Sequence, residues 1–262
     1  MKGIVLAGGL GTRLAPMTSY VNKHLLPVYD RPMVSYPVEL LAEAGITDVA
    51  VVVGGRGIEG FYRLLRNGEP FGLRRLRYLY QSGEGGIAAA LRLAEDFADG
   101  EPVAVVLGDN IFLDCDEQIA EAIEGFGGGA TLFLKDVDDP ERFGVPEFSG
   151  PAGESSIVRV VEKPQAPASR LASTGLYLFD ERAFAFAREL VPSRRGELEI
   201  VDVHNRYAEA GELDYVVLAG TWLDAGTPDS MLRAARAVAE RRVSAGAGAG
   251  TRVVGGAERE EG

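Results

Sequence analysis

Apolar segments of strand length alternate with helical segments through the first 125 residues, and this alternation constrains the fold more than any other feature of the chain. Strands that alternate with helices form right-handed crossover units and a mainly parallel sheet. We therefore expect an α/β fold. The pattern predicts strands at 2–7, 47–53, 76–81, 102–107, 130–136, 144–149, 156–162, 173–179 and 214–218. It predicts helices at 32–44, 85–98, 116–124, 181–189, 197–210 and 227–243.

The later part of the chain departs from strict alternation. Between 130 and 179 strands follow one another closely, which indicates a mixed central sheet or a small additional sheet. Residues 1–243 are expected to form a single domain. Residues 244–262 are rich in glycine, small and charged residues, so we expect a flexible low-complexity tail.

Composition excludes several classes of protein. The formal net charge is −12 and the pI is about 4.8, so the overall field repels nucleic acid. No apolar stretch approaches the roughly 20 residues that a membrane helix requires. The first residues lack a secretory signal, and we expect a cytoplasmic protein. A single cysteine, Cys115, cannot form an internal disulfide or a thiolate metal cage.

The stretch "GIVLAGGLGTRLAP", residues 3–16, places three glycines directly after the first strand. Bare backbone N–H groups at the carboxyl end of a parallel strand suit an anionic ligand, although a tight strand exit explains glycines equally well. Leu14 stands where a dinucleotide fingerprint needs its third glycine, and no Gly-Lys-Ser/Thr triplet exists for a P-loop. Arg13 and Lys23 favour the phosphate interpretation, because both cations follow the glycines closely.

Eight motifs occur in order over about residues 1–240, namely "LAGGLGTRLAP", "NKHLLPVYDRPM", "VLGDN", "ERFGV", "VEKP", "STGLYLFD", "RGELEI" and "WLDAGT". Together they resemble the sugar-phosphate nucleotidylyltransferases. The resemblance implies a three-layer α/β/α, Rossmann-like nucleotide-diphospho-sugar transferase fold. It also implies that a sugar 1-phosphate attacks the α-phosphorus of a nucleoside triphosphate and releases pyrophosphate. The implied substrates are dTTP and glucose 1-phosphate, with UTP, GTP or another sugar 1-phosphate as alternatives. A homo-oligomer, tetramer or dimer, is a further implication.

The resemblance also implies roles for individual residues. Catalysis is assigned to Arg13, Lys23, Asp109 and Lys163. Nucleotide binding is assigned to Leu6, Gly8, Gly9, Gly11, Thr12, Arg13, Gln81, Gly86 and Asp109. Sugar binding is assigned to Leu107, Gly144, Glu162, Lys163, Thr174, Gly175 and Glu197.

A magnesium site is implied at Asp109 and Asp224, which are far apart in the sequence. Mg²⁺ prefers hard oxygen ligands, and one or two carboxylates completed by substrate phosphates and water form its usual site. Considered singly, Asp109 is also typical of a turn and Asp224 of a helix cap.

Several points limit these expectations. Family members commonly carry a second glutamine where this chain has Ala89, which leaves the choice of nucleotide open. Glu162 and Lys163 are consecutive strand residues, so both reach a ligand only if the strand ends or twists there. Neither His24 nor His204 has the spacing of a metal ligand. The alternating start also admits a nicotinamide-dependent oxidoreductase, which Leu14 disfavours.

Overall fold

The computed structural model describes the backbone of residues 1–249 and the side chains of residues 1–244. Most of the predicted tail, from 250 to 262, lies outside the described residues. The strands are β1 (Lys2–Ala7), β2 (Pro27–Val28), β3 (Arg31–Pro32), β4 (Asp48–Gly54), β5 (Arg75–Gln81), β6 (Val103–Leu107), β7 (Asn110–Leu113), β8 (Ala130–Asp136), β9 (Gly144–Phe148), β10 (Ile157–Glu162), β11 (Leu171–Phe179), β12 (Leu213–Val217) and β13 (Thr221–Asp224). The helices are α1 (Ser35–Glu43), α2 (Ile58–Leu65), α3 (Ile87–Arg92), α4 (Glu95–Ala98), α5 (Asp116–Glu124), α6 (Arg182–Glu189), α7 (Ile200–Glu209) and α8 (Pro228–Ala249).

Seven strands form the central sheet in the order β12-β8-β11-β6-β1-β4-β5. β1 pairs in parallel with β4 and β6, and β4 with β5. β11 runs antiparallel to both of its neighbours, β6 and β8, so the sheet is mixed. The predicted α/β class with a mainly parallel sheet is confirmed, and the successive strands after residue 130 supply both the mixed part and a separate β9/β10 pair.

Side chains alternate between two apolar layers on opposite faces of the sheet. Ile4 of β1 packs in the layer that α3, α6 and α7 cover, whereas Val5 packs in the layer under α1, α2 and α5. Both faces of β1, β4 and β6 are thus buried, which explains why their sequences are almost continuously apolar. The molecule has the three-layer α/β/α arrangement that was expected.

A third, smaller apolar cluster joins α8 to the two-stranded sheet of β7 and β13. Ile111 and Leu113 of β7 pack there with Ala234 and Val238 of α8. Neither β7 nor β13 was predicted, because each has only four residues and no room for an alternating pattern.

Two helix predictions need correction, and one helix was missed. The predicted helix at 85–98 is two helices, α3 and α4, since the chain turns between Leu93 and Ala94. The predicted helix at 197–210 begins only at Ile200, so Glu197 lies in the preceding loop. α2 was missed because glycines at 54, 55, 57 and 60 obscure its amphipathic pattern. Over the part of the chain with described structure, no helix is both long and apolar enough to cross a membrane.

Candidate active site

A cleft of about 530 Å³ opens at the carboxyl ends of β1, β5 and β6, where ligands of open α/β sheets bind. Its volume is in the range of small-molecule sites. The predicted site residues that line it are Leu6, Gly8, Gly9, Thr12, Arg13, Lys23, Gln81, Gly86, Leu107, Asp109, Gly144, Glu162, Lys163, Thr174, Gly175, Glu197 and Asp224. The structure therefore brings together residues that are up to 218 positions apart, and Gly11 alone among the predicted residues is not in the lining.

The glycine loop owes its shape to close contacts that leave no space for side chains. A Cβ on Gly8 would lie 2.0 Å from Oε1 of Gln81. Gly11 has a φ of 71°, and a Cβ there would lie 2.7 Å from Cβ of Lys23. Gly11 thus shapes the loop instead of lining the cleft, while Gln81 at the end of β5 is held against Gly8.

Lys23 and Asp109 form a buried ion pair near the carboxyl end of β1. Nζ of Lys23 lies 2.5 Å from Oδ2 of Asp109, and the two side chains are only 12% and 10% exposed. Asn22 holds this segment in place, since its Nδ2 donates to the carbonyl of Gly54 at 2.9 Å. His24, which follows Lys23, donates its backbone N–H to Oδ1 of Asn22 at 3.0 Å.

The pairing of β7 with β13 explains how two distant carboxylates meet. The antiparallel register sets Asp224 opposite Asn110. The N–H of Ala225 then donates to the backbone carbonyl of Asp109 at 2.9 Å. Asp109 and Asp224 become spatial neighbours through a strand pair that sequence reasoning missed.

The space above Gly226 is where the charged groups converge. The point that a Cβ on Gly226 would occupy lies 2.8 Å from Oδ1 of Asp224, 3.0 Å from Nη2 of Arg13 and 3.5 Å from Oδ2 of Asp109. Within residues 1–249, no group of three or more His, Cys, Asp or Glu side chains has the geometry of a metal site. Two convergent carboxylates fit a divalent cation whose remaining ligands are substrate oxygens and water.

The two carboxyl groups titrate differently. Burial raises the pKa of Asp224, and the neighbouring charge of Asp109 raises it further. Burial also acts to raise the pKa of Asp109, but the charge of Lys23 together with hydrogen bonds from Lys23 and Asn110 holds that pKa below its usual range. Asp109 is therefore ionised beside Lys23, as a cation ligand must be.

On the opposite wall, Glu162 and Lys163 both face the cleft. β10 ends at Glu162, and Lys163 has a φ of 46°, so the backbone turns and consecutive side chains share one side. Nζ of Lys163 lies 3.1 Å from Oε1 of Glu162. The requirement that the strand end or twist at Glu162 and Lys163 for both to reach a ligand is therefore met.

Two arginines of the cleft were not singled out from the sequence. Nη2 of Arg195 lies 3.4 Å from Oε1 of Glu162 and 2.8 Å from Oε2 of Glu199. Nη2 of Arg142 lies 3.4 Å from Oδ2 of Asp224. Both residues belong to quoted motifs, "RGELEI" and "ERFGV", so the signal was present in the letters.

Backbone hydrogen bonds link the loop around Gly86 to the loop that precedes α7. The N–H of Leu198 donates to the carbonyl of Gly85 at 2.9 Å, and Leu198 in turn accepts from Ala88 at 3.2 Å. A Cβ on Gly86 would lie 2.6 Å from the carbonyl oxygen of Leu198. Gly86, with a φ of 88°, lets the start of α3 approach the loop that carries Arg195.

His24 lies beside the glycine loop and His204 lies on α7, and both border the cleft. Burial lowers the pKa of both to about 3, so both are neutral at pH 7. Nδ1 of His24 lies 2.9 Å from Oδ1 of Asn22. His204 stacks on Phe179, with ring centroids 5.7 Å apart.

Comparison with known proteins identifies the family to which this chain belongs. Residues 2–241 match the family model described as nucleotidyl transferase. The glucose-1-phosphate thymidylyltransferase of Neisseria gonorrhoeae is 46% identical over 238 residues, covering 90% of this chain and 81% of that protein. That of Xanthomonas campestris is 43% identical over 240 residues, covering 89% and 79%.

Solved structures agree with the sequence matches. The structure assigned as a glucose-1-phosphate thymidylyltransferase from Bacillus anthracis, in complex with sucrose, superposes with a TM-score of 0.83 at 43% identity and covers 90% of this chain and 94% of that one. A UDP-glucose pyrophosphorylase complexed with UDP-glucose has a TM-score of 0.81 at 24% identity, covering 92% and 99%, and shows the shared fold. The nicotinamide oxidoreductase alternative finds no support in these comparisons.

Proposed function

This chain belongs to the nucleotidyl transferase family, and from that premise we propose that it transfers dTMP from dTTP to glucose 1-phosphate and releases pyrophosphate. Relatives at 42–46% identity over about 90% of the chain carry the name glucose-1-phosphate thymidylyltransferase. The observation that carries the proposal is the convergence of Arg13, Asp109 and Asp224 on one point beside the glycine loop. Phosphoryl transfer depends mainly on positioning and charge stabilisation, which this arrangement supplies.

The nucleotide half of the cleft is assigned to the loop after β1 and to the end of β5. Backbone N–H groups of Gly8 to Gly11 bind the triphosphate, with Leu6 and Thr12 beside them, and Gln81 and Gly86 contact the base. Glutamine offers a donor and an acceptor to the imide edge of thymine. Arg13 is suited to the leaving pyrophosphate, because within the described chain its guanidinium makes no ion pair or hydrogen bond that a phosphate would have to displace.

The sugar half is assigned to the wall formed by β9, β10, β11 and the loop before α7. Glu162, with Glu197 near it, accepts hydrogen bonds from sugar hydroxyls. Lys163 and Arg195 hold the sugar phosphate, whose oxygen attacks the α-phosphorus while the bond to pyrophosphate breaks. The remaining residues assigned to this wall are Leu107, Gly144, Thr174 and Gly175.

Family membership implies a divalent metal, and we propose Mg²⁺ held by Asp109 and Asp224. Such an ion, when bound, neutralises charge on the phosphates of the triphosphate. Arg142 positions Asp224, since its guanidinium lies 3.4 Å from Oδ2 while the N–H of Gly226 donates to Oδ1 at 3.0 Å. We further propose that residues 1–243 form one catalytic domain, which limited proteolysis tests. We also propose that the chain assembles into a homo-oligomer, a tetramer or a dimer, which light scattering tests.

The decisive experiment mixes the purified protein with dTTP, Mg²⁺ and glucose 1-phosphate and measures pyrophosphate. We expect release with this pair and slower release when UTP, GTP or another sugar 1-phosphate replaces either substrate. Arg13→Met should abolish most of the activity, while Arg63→Met, at an exposed arginine of α2 outside the cleft, should not. Absence of pyrophosphate with every nucleotide and sugar phosphate would refute the proposal.

A further inference from the structure

The ammonium of Lys23 occupies the carboxylate oxygen that a bound cation would need. Of the two oxygens of Asp109, Oδ1 accepts a hydrogen bond from Nδ2 of Asn110 at 3.2 Å. Oδ2 is held by Nζ of Lys23 at 2.5 Å. This same Oδ2 is the Asp109 oxygen that lies 3.5 Å from the point above Gly226 around which Asp224 and Arg13 also lie. Each oxygen of Asp109 thus already accepts a hydrogen bond while Lys23 stays in place.

Lys23 also lies next to the loop assigned to phosphate. A Cβ on Gly9 would lie 3.4 Å from Cε and 3.6 Å from Nζ of Lys23. A lysine ammonium is a mobile point charge on a flexible four-carbon stem, so it can reach either of two nearby anions. The ammonium therefore stands between a carboxylate on one side and the position of a triphosphate on the other.

From this placement we propose that Lys23 is an exchangeable counterion that masks Asp109 in the free protein and moves to the triphosphate when nucleotide binds. The inference rests on the proposed function and deepens it. Two cations at the buried Oδ2 repel each other strongly, so Lys23 and a divalent cation compete for it. Nucleotide binding relieves the competition, and nucleotide and metal consequently bind with positive coupling.

The test is direct metal binding without turnover. Mn²⁺ affinity is measured by electron paramagnetic resonance on the free protein, for wild type, Lys23→Met and Lys163→Met. Lys163 is the matched control, because it is also a cleft lysine beside a carboxylate but pairs with Glu162. We expect Lys23→Met to bind Mn²⁺ about tenfold more tightly than wild type, within the usual range of coupling between sites, and Lys163→Met to remain close to wild type.

The double variant Lys23→Met/Asp109→Asn assigns the gain to this carboxylate, because it should bind Mn²⁺ no more tightly than wild type. Equal gains in Lys23→Met and Lys163→Met would reveal only a general change of field and would overturn the proposal. An unchanged or weaker affinity in a folded Lys23→Met protein would overturn it as well.

A measurement on the wild-type protein tests the proposal even if the Lys23→Met variant does not fold. The lysines are Lys2, Lys23, Lys135 and Lys163, so ¹³Cε-lysine spectra can be assigned with few variants. We expect dTTP in the presence of a chelator to shift the Lys23 signal, and a signal that dTTP leaves in place contradicts the exchange. Both readouts are independent of pyrophosphate formation, so an inactive protein that shows them would refute only the proposed function.

Discussion

The indole N–H of Trp222 donates a hydrogen bond to Oδ1 of Asn110 at 2.6 Å. The same oxygen accepts the backbone N–H of Gly175 at 2.9 Å, and the amide nitrogen of Asn110 donates to Asp109 at 3.2 Å. One buried amide thus ties β7, β11 and β13 together beside Asp109. A Cβ on Gly175 would lie 2.6 Å from Oδ1 of Asn110, which explains why glycine occupies that position in β11.

Trp222→Phe should loosen this junction without opening a large cavity. The ring contact with Phe143, at a centroid distance of 4.9 Å, can persist, and the lost hydrogen bond should cost about 1 kcal/mol. Urea denaturation measures the loss. Activity should fall as well, because Asp224 follows Trp222 by two residues on β13. Unchanged stability together with unchanged activity would contradict the role given to this hydrogen bond.

Asp109→Asn and Asp224→Asn should each lower kcat by about 100-fold or more, since each removes a charge that holds the cation at the phosphates. Thermal denaturation should show that both variants remain folded. The matched control is Asp116→Asn, an exposed aspartate at the start of α5 outside the cleft, which should retain full activity. Near-normal turnover in both cleft variants would refute the metal assignment.

Gly8→Ala should impair substrate binding, whereas Gly86→Ala should lower the stability of the fold. The new Cβ at position 8 meets the end of the Gln81 side chain, which can move, so stability should hold while KM for dTTP rises. The new Cβ at position 86 meets the carbonyl of Leu198 in a backbone with positive φ, so we expect a loss of more than about 1 kcal/mol of stability. Steady-state kinetics and denaturation of both variants separate the two outcomes, and identical behaviour would contradict this account.

Arg195→Met should raise KM for the sugar phosphate about tenfold or more and leave KM for dTTP unchanged, because a charge-assisted contact to phosphate is lost on one wall only. Varying both substrates in turn distinguishes these constants. Glu199 pairs closely with Arg195, so thermal denaturation must accompany the kinetics. Equal changes in both KM values would place Arg195 outside the sugar wall.

The sequence predicted the elements that are long and uniformly apolar, and it failed where structure is short or depends on distant partners. β1 and β8 have the bounds that were predicted, because β1 is apolar almost throughout and β8 has a buried apolar centre at residues 132–134. β7 and β13 are invisible to periodicity, yet their pairing joins Asp109 to Asp224. The two carboxylates were paired on the basis of the resemblance, and their convergence follows from a register that no local pattern encodes.

Arg142 and Arg195 show a second limit. An arginine in a loop is most often a solvated surface residue, and only the fold shows that these two guanidinium groups face carboxylates of the cleft. Glu162 and Lys163 illustrate the opposite case. Strand alternation argued against a shared side, and the backbone turn at Lys163 resolved the conflict.

His204 makes folding sensitive to acid. Its ring is fully buried beside Tyr177 and Phe179, and neither ring nitrogen has a hydrogen-bond partner among the described residues. Burial lowers the pKa of His204 to about 3, whereas the unfolded chain binds the proton near pH 6.5. As the pH falls below 6.5 the unfolded state takes up a proton that the folded state refuses. The free energy of unfolding therefore drops by up to about 1.4 kcal/mol per pH unit through this residue.

His204→Phe should remove that share of the pH dependence, since a phenyl ring can stack on Phe179 and has no proton to bind. Urea denaturation at pH 7.5, 6.5 and 5.5 measures the slope of stability against pH for both proteins. The variant should lose less stability than wild type between pH 6.5 and 5.5, while His24, whose pKa burial also lowers to about 3, keeps part of the slope in both. Parallel curves below pH 6.5 would mean that His204 is protonated in the folded protein, contrary to its burial.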